Sequence, residues 1–210
     1  MSVSNFSEQE LIRREKLKEL QHLGIDPFPA PLYPVNTSAS YIKEHYKGEE
    51  NKSDFATVCL AGRIMSIRDM GKAAFAVLQD STGKIQFYLK RDEICPGEDK
   101  TFYDKVWKHL TDIGDIVGIK GYVFTTKTGE TSVHVSELSF LTKSLKPLPV
   151  VKEKEGETFD AVTDPEFKYR QRYVDLIINP QVKDTFIKRT LLVNTIREFL
   201  NSRGALEVDT

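Results

Sequence analysis

Cysteine is almost missing from this chain. Its 210 residues include two, Cys59 and Cys95, and no CxxC pair. Two isolated thiols cannot build a zinc site without other ligands, and the four histidines, His22, His45, His109 and His134, show no ligand spacing. Reduced structural thiols are the expected reading, with no metal. Long apolar runs are missing too. No window approaches the roughly 18 apolar residues of a membrane span. The opening MSVSNFSEQELIRREK has no apolar core of signal-peptide length. The chain therefore reads as soluble, cytoplasmic and without a membrane partner. A net charge is the third absence: 30 Lys and Arg against 31 Asp and Glu leave −1. That excludes attraction of the whole molecule to nucleic acid, so any RNA contact must come from a local basic patch. No internal repeat or low-complexity tract occurs.

What remains is an ordinary globular composition, 40% apolar and 29% charged, long enough for one large domain or two small ones. Ser7 followed by Glu10 is a capping-box pattern that predicts a helix to about His22, ended by Gly24. Leu17, Leu20 and Leu23 supply its apolar stripe. Arg13, Arg14, Lys16 and Lys18 make another side basic, either a solvated face or an arm that meets RNA phosphates. Four prolines between Asp26 and Pro34 predict a stiff, extended connector. Ser38 to Tyr46 reads as a short helix and Gly48 to Asp54 as a polar loop.

The pattern then changes to period two. Strands are expected at Thr57–Ser66, Ala73–Gln79, Lys84–Lys90, Asp115–Thr125 and Ser132–Leu141, with a helix at Thr101–Leu110. Five strands with a helix between the third and fourth match the order of an OB-fold barrel, which binds single-stranded nucleic acid or sugars on its second and third strands and adjoining loops. Arg68, Phe75, Gln86 and Glu130 fall on those surfaces. An aromatic ring stacks on an unpaired base, and Gln, Arg and Glu hydrogen-bond base edges. Lys72, Lys84, Lys90 and Lys127 lie near enough to meet phosphates. Each also has an ordinary reading: Phe75 as core, since its alternation with Ala74 and Ala76 does not tell which face is inside, and the others as surface groups. Gln86, between Ile85 and Phe87, faces out. Only the joint placement points to a ligand.

Beyond the barrel, Lys143 to Thr163 reads as a linker containing Pro147, Pro149 and KEKEGE. Helices follow, with a break at Asn179-Pro180. Over Thr185–Asn201, Ile187, Leu191, Leu192, Ile196, Phe199 and Leu200 recur at helical spacing. After the glycine turn, Leu206-Glu207-Val208 reads as the start of a strand, which needs a neighbour for its backbone groups.

Several segments together resemble the lysyl-tRNA synthetase family. Gly62-Arg63-Ile64-Met65, Met70 through Phe75, Leu78-Gln79-Asp80, Lys84-Ile85-Gln86, Gly114 through Gly118, Thr128-Gly129-Glu130 and Leu141 through Pro149 look like its anticodon-binding barrel. Tyr169 through Ile177 looks like the entry to its catalytic domain, and the stretch from Asp164 to Thr210 resembles motif 1 of the class II aminoacyl-tRNA synthetases. The resemblance covers nearly the whole chain, with one departure at Ala205, where the family commonly has an aromatic residue.

The resemblance implies an α+β, mainly β fold. A helical extension (1–54) would precede the OB barrel (55–142), a linker (143–163) and the incomplete start of a class II catalytic domain (164–210). It implies a partner tRNA with a uridine-rich lysine anticodon. Phe75 would stack on the central uridine, Arg68, Gln86 and Glu130 would read base edges, and Lys72, Lys84, Lys127 and His134 would support them. Phe186, Leu191, Leu192, Ile196, Phe199 and Leu200 would face a second subunit of a homodimer. ATP and Mg2+ would serve lysine activation in the intact enzyme. Motifs 2 and 3 do not occur in this sequence, so no catalytic residue is assigned and the chain alone is expected to be inactive. The alternatives are a stand-alone OB-fold RNA-binding module and the aspartyl or asparaginyl branch. The Met70-Gly71-Lys72 turn and the Leu141–Pro149 segment favour lysine over that branch.

Overall fold

Five antiparallel and parallel strands close on themselves in the order β1-β2-β3-β5-β4. They are β1 (Val58–Asp69), β2 (Ala73–Gln79), β3 (Lys84–Lys90), β4 (Ile116–Thr125) and β5 (Thr131–Thr142). The computed structural model describes residues 6–149, 152–154, 157–159 and 164–208. They form two units that divide between Pro147 and Leu148.

In the first unit the alternation of side chains makes the barrel. Ala74, Ala76 and Leu78 of β2 point inward, as do Ile85, Phe87 and Leu89 of β3 and Val133 and Val135 of β5. Closure is by β3 against β5, the only parallel pair in the barrel, so no strand edge is left unpaired around it. Helix α1 (Glu8–His22) begins at a capping box, with Ser7 and Glu10 each bonding the other's backbone N–H. Its Leu20 is buried against Val106, Leu110 and Phe140. The expected helix over 101–110 is present, but Phe102–Leu110 winds with wide π turns. The Val106 carbonyl accepts from both the N–H and the hydroxyl of Thr111. This helix presses Trp107 edge-on against Phe87, with ring centroids 6.0 Å apart.

Several expectations need correction. The stretch 48–54 is no open loop: Gly48–Phe55 coils into short 3-10 turns, which bury Phe55 against α2 (Ala39–His45). Strand β1 runs to Asp69 rather than Ser66, because pairing with β2 continues through Arg68 and Asp69. Arg13 and Lys16 are not available to an RNA. Arg13 is buried and donates to the carbonyls of Ser144 and Ile113 at 2.9 Å, and Lys16 pairs with Asp112 at 2.6 Å. Lys143, which composition assigns to the linker, is fully buried. Its ammonium reaches Leu110 O and Asp112 at 2.6 Å and Asp115 at 2.8 Å. Burial alone pushes the Asp115 carboxyl up, against the pull of Lys143. The cluster ties α1, the end of the π helix, the start of β4 and the exit of β5 at one point. The proline connector is not extended throughout: it bends at Pro27-Phe28, where the Asp26 carboxylate accepts from the Phe28 N–H, and at Pro31. Asn36 beyond it clamps β1 by accepting from Cys59 N and donating to Thr57 O.

In the second unit, β6 (Lys152–Lys154) and β7 (Glu157–Phe159) form a small hairpin. The rest of the expected linker beyond Pro149 lies outside the described residues. Helices α4 (Pro165–Arg170), α5 (Arg172–Ile178) and α6 (Pro180–Ser202) follow. The break between the last two falls at Asn179-Pro180, as the proline requires. The strand expected at Leu206–Val208 is not formed. The segment pairs with no strand among the described residues, and Glu207 is instead held by Arg197 at 2.8 Å. No described helix is long and apolar enough to cross a membrane.

Candidate nucleic-acid interface

Strand register decides which side chains meet on the outside of the barrel. Arg68 of β1 lies opposite Phe75 of β2, Phe75 opposite Tyr88 of β3, Tyr88 opposite His134 of β5, and His134 opposite Tyr122 of β4. Five side chains therefore form one row across the outer surface, because residues in register share a face. Ala74 and Ala76 are buried, so Phe75 points outward, which the alternation alone left open.

The row is in continuous contact. The Arg68 guanidinium sits over the Phe75 ring, 5.3 Å from its centroid. The Phe75 and Tyr88 centroids are 4.8 Å apart, and Tyr88 meets His134 edge-on at 5.1 Å. His134 stacks on Tyr122 at 4.8 Å, inclined by 25°. Phe124 closes the group, 5.6 Å from His134 and 6.3 Å from Tyr88. A second row lies one pleat along, where Gln86 is opposite Ser132 and Ser132 opposite Phe124. The Ser132 hydroxyl donates to Gln86 Oε1 at 2.9 Å. That contact orients the amide and leaves its NH2 as the group to offer a ligand.

Glu130 stands exposed in the β4–β5 loop, two residues before Ser132. The loop is braced by the Glu130 N–H, which donates to Thr126 Oγ1, and by Thr126 N–H donating to Glu130 O. Lys72 lies in the turn between β1 and β2, where Gly71 has φ +85°, a conformation that strains any side chain with a Cβ. Lys72, Lys84 and Lys127 are exposed, and no ion pair is found for them among the described residues. Lys90, by contrast, is engaged with Glu93 at 2.9 Å.

His134 is held at both ring nitrogens. Nε2 bonds the Glu93 carboxylate and Nδ1 bonds the Tyr122 hydroxyl at 2.8 Å. Burial opposes the charge on Glu93, but hydrogen bonds from Lys90 and His134 outweigh it and hold the carboxyl below its usual range. The approach of β4 to β5 depends on Gly121, one residue before Tyr122. A Cβ there would stand 1.9 Å from the His134 carbonyl oxygen, at a point where the strand register shifts.

The sequence-predicted residues Arg68, Phe75, Gln86 and His134 thus share one face, with Glu130 in the loop beside them. Tyr88, Tyr122, Phe124 and Glu93 belong to the same surface and were not foreseen. Tyr88 has the parity of Gln86, and Tyr122 and Phe124 alternate with buried Val123, so a period-two reading of β3 and β4 contains the signal. Glu93 carries none, since it lies in a one-turn helix, α3 (Arg91–Ile94). The six side chains Phe186, Leu191, Leu192, Ile196, Phe199 and Leu200 are all exposed on α6. Among the described residues no group of three potential metal ligands occurs.

Residues 58–141 match the OB-fold nucleic acid binding domain family, described as the tRNA anticodon type. The whole chain is 57% identical over 210 residues to the lysine–tRNA ligase of Porphyromonas gingivalis, covering 36% of that protein. It is 52% identical over 204 residues to that of Azobacteroides pseudotrichonymphae, 97% of this chain and 40% of the relative. The lysine–tRNA ligase of Christiangramia forsetii is 51% identical over 209 residues, 99% of this chain and 36% of the relative. The chain spans little more than a third of the length of the relatives it matches. Homology to lysine–tRNA ligases extends along the whole chain.

Proposed function

From that homology, we propose that this chain is the anticodon-reading part of a lysine–tRNA ligase, with its outer aromatic row as the reading surface. The row running from Arg68 through Phe75 and Tyr88 to His134 and Tyr122 carries the proposal. An outward-facing, half-buried aromatic line beside free lysines suits an unpaired, splayed RNA loop and has no use in a barrel that only needs a core.

Phe75 stacks on the central anticodon base. Arg68, fixed over the same ring, and the Gln86 amide, fixed by Ser132, hydrogen-bond base edges. Glu130 accepts from a base N–H from the loop side. A wrong base leaves these groups unpaired, which costs more than a lost contact in water would. Lys72, Lys84 and Lys127 meet phosphates, so binding weakens as salt rises. In the intact enzyme, ATP and Mg2+ serve lysine activation before transfer to the tRNA, and no residue of this chain is given a part in that chemistry. The intact enzyme acts in the cytoplasm as a homodimer, in which α6 supplies the apolar face.

The test is titration of this chain with an anticodon stem-loop carrying UUU, and with one whose central base is changed, at fixed low salt. Changing the base, or Phe75→Ala, is expected to weaken binding by about 1–3 kcal/mol, the worth of one base stack. Equal binding to both RNAs, unaffected by Phe75→Ala, would leave only a general electrostatic surface and refute the proposal.

A further inference from the structure

Reading one base accounts for Phe75 and its neighbours but not for the far end of the row. Three observations there ask for a role. Tyr122 is 39% exposed, the most open ring of the group, while Phe75, Tyr88 and Phe124 are half-buried. It is not loose: its hydroxyl is fastened to His134 and its ring stacks on the imidazole. The fastening is itself fastened, because Glu93 reaches from α3, outside the barrel strands, to hold the other ring nitrogen.

The protons follow from the partners. An ionised carboxylate only accepts, so His134 Nε2 donates to Glu93. In the neutral ring Nδ1 is then an acceptor, and the Tyr122 hydroxyl donates to it. Its proton committed inward, the Tyr122 oxygen keeps a lone pair for an outside donor. The result is an exposed aromatic ring of fixed angle carrying an acceptor at its edge, the same pairing of ring and polar group that Phe75 and Arg68 present at the other end. Tyr88 and His134 stand between Phe75 and Tyr122 in the row, which puts those two rings three strand spacings apart, roughly 14 Å around the sheet, so one base cannot stack on both.

We propose that Tyr122, set by the Glu93–His134 pair, is a second stacking position on this face and takes an anticodon base flanking the one on Phe75. It rests on the anticodon reading above. Tyr122 is the contact residue, and His134 and Glu93 are positioning residues that act through it. A barrel that read one base would have no reason to hold a solvent-facing tyrosine through two further side chains.

The experiment places a fluorescent uridine analogue that keeps the Watson–Crick edge, and whose emission falls on stacking, at each anticodon position of the UUU stem-loop in turn, and titrates each RNA with this chain. Two positions are expected to be quenched in the wild type. Phe75→Ala should relieve the central position. Tyr122→Leu should relieve a flanking position while leaving the central one quenched, and weaken binding of the unmodified stem-loop roughly 5- to 150-fold. Glu93→Gln, a change of equal size at an exposed residue of α3, should partly relieve the same flanking position and no other, an outcome that a purely structural role would not produce. Trp107 fluorescence verifies that each variant is folded. If Phe75→Ala acts and neither Tyr122→Leu nor Glu93→Gln changes a flanking signal, the second position is refuted and the anticodon reading stands. If no position is quenched and Phe75→Ala has no effect, both fall.

Discussion

Replacing Lys143 by methionine is expected to cost the barrel more than any change on its RNA face. The ammonium is fully buried and held by Asp112, Asp115 and the Leu110 carbonyl at 2.6 to 2.8 Å. Methionine fills most of the volume but removes the charge. Asp112 keeps Lys16 as a partner. Asp115 does not recover: it is fully buried and would keep the N–H groups of Asp112 and Ser144 and the charge of Arg63, which forms no ion pair with it. Removing one member of a buried pair typically costs about 3–5 kcal/mol, because the other charge is left uncompensated.

The pH dependence follows from Asp115. Burial already pushes its carboxyl up, and the loss of Lys143 pushes it further, so the native variant takes up a proton as pH falls. The penalty is therefore largest at neutral pH and shrinks toward acid. Urea unfolding followed through Trp107 is the assay. This is the sole tryptophan, buried in the same unit, so it reports on the barrel. Adding Asp115→Asn to Lys143→Met should restore part of the loss. A cost below about 1 kcal/mol at pH 7, or one that does not shrink in acid, would refute the reasoning, since either would mean that Asp115 carries no uncompensated charge.

Other consequences are directly measurable. Asp80 and Asp112 are both held below the usual carboxylate range: burial opposes their charge, but backbone and hydroxyl hydrogen bonds at Asp80, and Lys143 and Lys16 at Asp112, more than offset it. Their stabilisation is complete above the unfolded value of about 3.9 and is lost as pH falls through the lower folded values. Acid unfolding should therefore set in below about pH 4 and be shifted by Asp80→Asn, and a barrel equally stable down to pH 2 would contradict this. On α6, Leu191 and Leu192 are more than 60% exposed, with Phe186, Ile196, Phe199 and Leu200 also uncovered. Sedimentation should show self-association in the micromolar range that Leu192→Glu with Phe199→Glu abolishes, and a monomeric wild type would count against α6 as a subunit interface.

Much of this was legible in the chain by itself. The alternation of Ile85, Phe87 and Leu89 with Gln86 and Tyr88 is a property of period-two geometry, so it marks a half-buried strand wherever it occurs. Capping by Ser7 and Glu10 and the stop at Pro180 are equally local, since each depends on backbone groups a few residues away. Family resemblance carried the reading from a barrel to an anticodon reader. What stayed hidden involves partners distant in sequence. Nothing near Arg13 says that its guanidinium meets Ser144, or near Lys143 that it closes on Asp115. Composition therefore placed one on an open helix face and the other in a linker. The strand expected at Leu206 did not form, because a strand is made by its neighbour and not by its own residues. The orientation of Phe75 was undecided until β2 took its place in the barrel and put Ala74 and Ala76 inside. Tyr122, His134 and Glu93 come together only because β5 closes against β3 and β4 bends at Gly121. Periodicity determines which face of a strand is wet, whereas register across the closed sheet decides which side chains on that face meet.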